Sequence, residues 1–144
     1  MSEAGLFGEG ATAQAADAAL IEAYERVGRT LDDLPYTEEF AELMRGVGDA
    51  VPGGQAEVFH RLHNLRKAGK LPRLGRAASS APRLDAEHEA TLVELVEGAV
   101  GKLSLRDRLV HKPEFDAVVE SFNAATGLGM THHDLWRVVA KLAK

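Results

Sequence analysis

The residues with the most chemical content lie between Glu57 and Asp85, where the chain carries seven lysines and arginines and no acid. Their core is Phe59-His60-Arg61-Leu62-His63-Asn64-Leu65-Arg66-Lys67, followed by Lys70, Arg73 and Arg76. If Val58, Phe59, Leu62 and Leu65 form the apolar stripe of a helix, then His60, Arg61, His63, Asn64, Arg66 and Lys67 face outward. Every group on that face can donate a hydrogen bond. Phosphate oxygens only accept, so the face and the basic arm after it suit a nucleic-acid backbone. Arginine and asparagine also have the shapes that read guanine and adenine edges.

Other reactive types are sparse. The chain has no cysteine, which removes disulfides, thiolate metal sites and thiol nucleophiles. His60 and His63 stand one turn apart and His132 and His133 are adjacent, but no third ligand is suitably spaced, so no metal or cofactor is expected. There is no phosphate-binding glycine loop with its lysine, no His-Glu-x-x-His and no nucleophile elbow, so no catalytic residue is assigned and an enzyme is not expected. Gly5-Leu6-Phe7-Gly8-Glu9-Gly10 precedes no strand and is read as tail. The pairs Asp32-Asp33 and Glu38-Glu39 are read as acids at turns and helix starts.

The segment that ends in Leu-Arg-Lys-Ala-Gly-Lys-Leu, entered through a glycine-containing turn, resembles the third helix of helix-turn-helix and winged-helix DNA-binding domains. The resemblance implies that His60, Arg61, His63, Asn64, Arg66 and Lys67 lie toward the major groove. Lys70, Arg73 and Arg76 would then contact the backbone. The chain departs from that pattern in the longer loop before the helix and in the absence of a second strand after it.

Those residues need elements to position them. Leu34–Lys67 and Leu109–Lys144 carry the same order of apolar, aromatic and turn residues. At an offset of 75, Phe40 falls with Phe115 and Val47 with Phe122; at 77, Phe59 falls with Trp136, Leu62 with Val139 and Lys67 with Lys144. A preceding helix stands before each, through Leu20, Tyr24 and Val27 and through Leu92, Val96 and Val100. The expected fold is therefore all-α: two tandem three-helix units, a duplicated helical domain, joined by an irregular basic linker. The boundaries are a flexible N-terminal tail at 1–16, a first unit at 17–74, a linker at 75–84 and a second unit at 85–144. The middle helices should start near Thr37 and Pro113, and Thr131 with Asp134 makes a capping box ahead of the last helix. Ser104 and Asp107 repeat that spacing.

The second unit does not copy the basic face. Leu135, Trp136 and Val138 widen its apolar stripe, so they are expected to serve interaction with the other half or dimerisation with a second chain. Charge is uneven: residues 1–57 hold 3 basic and 12 acidic side chains, within a net charge of −5. No apolar run suits a bilayer and no leader is seen, which points to a cytoplasmic protein away from membranes. The functional expectation is a regulatory protein that binds double-stranded DNA through the basic helix and arm, with a homodimer or protein partner. The alternative is a protein-interaction module without enzymatic activity, which the acidic overall balance favours.

Overall fold

A computed structural model describes the backbone of residues 2–75, 77 and 80–144, and side chains from residue 13 onward, outside the same gaps. The described residues are all-α and contain no strand. The α-helices are α1 (Ser2–Val27), α2 (Glu38–Val47), α3 (Gly54–Lys67), α4 (Ala86–Val100), α5 (Pro113–Thr126) and α6 (His132–Leu142). Short 3-10 turns at Leu31–Asp33, Gly48–Ala50 and Leu103–Arg108 join them.

Local chemistry sets most helix ends. The Thr37 hydroxyl accepts from the Phe40 amide at 3.2 Å and donates to the Leu34 carbonyl at 2.6 Å, which caps α2. Asp85 caps α4 through the His88 amide at 2.8 Å, and Thr131 caps α6 through the Asp134 amide at 3.1 Å. Pro113 occupies the first turn of α5, where its missing amide hydrogen costs nothing. Gly53 opens α3 at φ 106°, and a Cβ there would lie 2.8 Å from the Glu57 Cβ, so this turn requires glycine.

Two boundaries differ from the expectation. The first helix begins at Ser2, not near residue 17, because the alanine-rich run Ala11–Ala19 has high helix propensity and continues into the packed face at Ala16 and Leu20. Ser104 and Asp107 form no capping box: both lie inside the 3-10 turn Leu103–Arg108, and Lys112 precedes α5 as its N-cap residue.

The halves share one core. Phe59 of α3 meets Trp136 of α6 edge to face, with ring centroids 5.6 Å apart, and Phe115 of α5 packs on the same indole at 5.9 Å. Helix α3 packs on the Leu103–Arg108 turn of the second half, while α6 packs on the Leu31–Asp33 turn of the first. Between Lys67 and Ala86 the described chain is non-helical, and Leu71, Leu74 and Leu84 lie against the core. No helix among the described residues is long and apolar enough to cross a membrane.

Candidate functional site

Helix α3 buries Val58, Phe59, Leu62 and Leu65, as its spacing requires. It also buries His63, at 3% exposure, which corrects its placement on the outward face. The reason is the register: His63 follows Phe59 by four residues, so it joins the stripe, and the Leu103–Arg108 turn covers it. Its ring stacks near Phe59, and burial pushes it down to about 4, against the opposing pull of Asp107.

Acids distant in sequence occupy three more of the outward residues. His60 donates from Nδ1 to Asp107 Oδ2 at 2.7 Å, and Asn64 donates to His60 Nε2 at 3.3 Å. Burial alone would raise Asp107, but the His60 hydrogen bond and the neighbouring positive groups outweigh it and hold the carboxyl below its ordinary range. Arg61 pairs with Asp17 of α1 at 3.2 Å, and Arg66 pairs with Asp32 at 3.2 Å. The continuous donor face expected on α3 is therefore broken. What remains exposed is Asn64, Lys67, Lys70 and Arg73. Arg76 lies outside the described residues.

Leu135, Trp136 and Val138, expected to pack on the other half or on a second chain, are each 1% exposed or less, and Trp136 meets Phe59 of the other half. They pack within the single chain, and α6 presents no apolar stripe to a second one. Turning inward on Phe59 and Phe115 removes the indole from water without a partner molecule.

The adjacent aspartates Asp32 and Asp33 do more than begin a turn. Asp33 is fully buried and is held by Arg29 at 3.1 Å, His133 at 3.3 Å and Arg137 at 3.4 Å. Asp32 faces Arg66 at 3.2 Å, Lys144 at 3.6 Å and Arg106 at 4.0 Å. Arg106 is itself buried, and that burial lowers its pKa in spite of Asp32. The pair thus draws together α3, α6 and the turns of both halves. The one sequence signal for it was the run Leu31-Asp32-Asp33-Leu34, two acids between two leucines.

Beside Asp32 opens a cleft of about 560 Å³ at the C-terminal ends of α3 and α6. Among the described residues, Arg66, Arg73, Arg137 and Lys144 line it, and Asp32 is the one acidic side chain in that lining. No protein-family model, curated protein or solved structure matches the chain. The site is read from its own geometry.

A second hollow, lined by Glu57, His60, Asp107, Arg108 and Lys112, balances its charges more evenly. Among the described residues no three histidine or carboxylate side chains converge as metal ligands.

Proposed function

We propose that this chain binds nucleic acid without catalysing a reaction, through the basic end formed by the C-termini of α3 and α6 and the arm that follows α3. The observation that carries the reading is the excess of cations there. Among the described residues that line the cleft at this end, Arg66, Arg73, Arg137 and Lys144 stand against the one acidic side chain of Asp32, with Arg137 also held by Asp33. Exposed Lys67, Lys70 and Arg73 extend the same charge along the chain. Contacts of this kind hold phosphates and do not read bases. Duplex DNA fits better than single strands, because the side-chain-described phenylalanines, tyrosines and tryptophan are buried or half-buried and offer no stacking platform.

Anisotropy of a labelled random duplex at low and moderate salt tests this. Saturable binding should weaken steeply with salt, by a slope of roughly −0.9 per phosphate contacted. The double variant Lys70→Glu with Arg73→Glu should abolish it. No binding at low salt removes the reading.

A second reading, docking of an acidic protein segment at the same end, is favoured by the net charge of −5 and by the use of Arg61 and Arg66 in internal pairs. Capture of an acidic peptide in preference to duplex would select it.

We also read the two halves as copies of one unit. Supporting this, Tyr36 and His111, which the offset of 75 pairs, both adopt positive φ, at 63° and 60°. Phe59 and Trp136, paired by the offset of 77, meet each other in the core.

A further inference from the structure

The cleft beside Asp32 has more than surface charge. Of the cations that line it, Arg66 and Lys144 share the single Asp32 carboxylate, while Arg137 is held by Asp33. Arg73, on the rim, makes no ion pair with any described residue. Tyr24, Leu31, Leu71, Pro72 and Leu74 supply the apolar part of the lining. The volume, about 560 Å³, is that of a pocket for a small organic molecule.

We infer that this cleft is a phosphomonoester site, which takes a nucleoside phosphate with its phosphate on Arg73 and Lys144 and its apolar body against Leu71, Pro72 and Leu74. The inference rests on the polyanion reading above and deepens it. A monoester dianion matches the two charges by which Arg66, Lys144 and Arg73 exceed the Asp32 carboxylate in the lining, whereas a carboxylate or an internal phosphodiester brings one. Guanidinium groups bind phosphate oxygens through paired N–H donors. The apolar part of the lining gives an organic phosphate an advantage that inorganic phosphate lacks. The same chemistry is present in a free nucleotide and at the phosphorylated end of a strand.

Calorimetric titration of the full chain with adenosine monophosphate, inorganic phosphate and adenosine tests the site. The nucleotide should bind about tenfold or more tightly than inorganic phosphate, and adenosine should not saturate. Arg73→Ala and Lys144→Ala, both at exposed positions, should each weaken the nucleotide by about tenfold. Nucleotide affinity unchanged in both variants, or adenosine binding as well as the nucleotide, overturns the inference. A preference for a phosphorylated over an unphosphorylated oligonucleotide supports the site with the strand end as source, and equal binding of the two with nucleotide still bound supports it with the free nucleotide as source. If nucleotide fails while random duplex still binds in a manner dependent on Lys70 and Arg73, the cleft site falls and the nucleic-acid reading stands. If duplex fails as well, both fall.

Discussion

The His111 amide donates to the Tyr36 hydroxyl at 2.7 Å while the two rings lie 4.3 Å apart, so one residue of each half closes over the other. Tyr36 stacks on Phe115 of the second half, and His111 stacks on Phe40 of the first. Burial drives the Tyr36 phenol up to about 12, which keeps it protonated across the neutral range. Tyr36→Phe leaves the ring in place and strands the His111 amide. It should cost about 1–3 kcal/mol in urea unfolding. An unchanged midpoint would show that water replaces the hydroxyl.

Trp136 is the only tryptophan in the chain and is 1% exposed. Trp136→Ala should destabilise by about 3–5 kcal/mol, or prevent folding, through the cavity left between Phe59 and Phe115. In the unaltered protein, the same indole should emit at short wavelength and resist a soluble quencher. Emission typical of exposed indole would contradict its burial.

Acid should unfold the chain through its histidines. His63 and His111 both sit near 4, chiefly because burial disfavours their charged forms, against about 6.5 when unfolded. Arg66, Arg106 and Lys67 add repulsion at His63, and His132 adds it at His111. Because the folded pKa is the lower one, the unfolded chain binds protons first. Stability is complete above about pH 6.5 and falls as the pH drops toward 4. Asp107, held below its ordinary range by His60, extends the loss to lower pH. His63→Phe should flatten the slope of stability against pH between 6.5 and 4; a slope identical to that of the unaltered protein would exclude His63 as its source.

Asp33 has no exposed surface and meets Arg29, His133 and Arg137. Asp33→Ala leaves those groups without their shared carboxylate and should cost about 3–5 kcal/mol. Thermal unfolding by circular dichroism would measure it. A loss below about 1 kcal/mol, the range of surface pairs, would mean that the cluster is solvated.

Arg61 gives the contrasting case. Its pair with Asp17 is half-exposed, so Arg61→Ala should change stability by about 1 kcal/mol or less. Duplex affinity should also remain as it was, since the guanidinium is already engaged. A large fall in affinity would return the contact surface to the outer face of α3.

The all-helical class, the caps at Thr37 and Thr131, the proline start of α5 and the stripe through Val58, Phe59, Leu62 and Leu65 were legible in the sequence. Each depends on hydrogen bonds or side-chain periodicity within a few residues. The fate of the polar groups was not legible in the same way. Whether Arg61, His60 or Lys70 faces a carboxylate or solvent depends on which surfaces pack together, and the partners of the first two lie 44 and 47 residues away. Periodicity located one face of α3 but could not show that the Leu103–Arg108 turn covers His63, nor that Trp136 turns inward on Phe59. The buried aspartate pair and the cationic cleft exist only where α3, α6 and the turns of both halves converge, because electrostatic pairing acts through space and local sequence rules act along the chain.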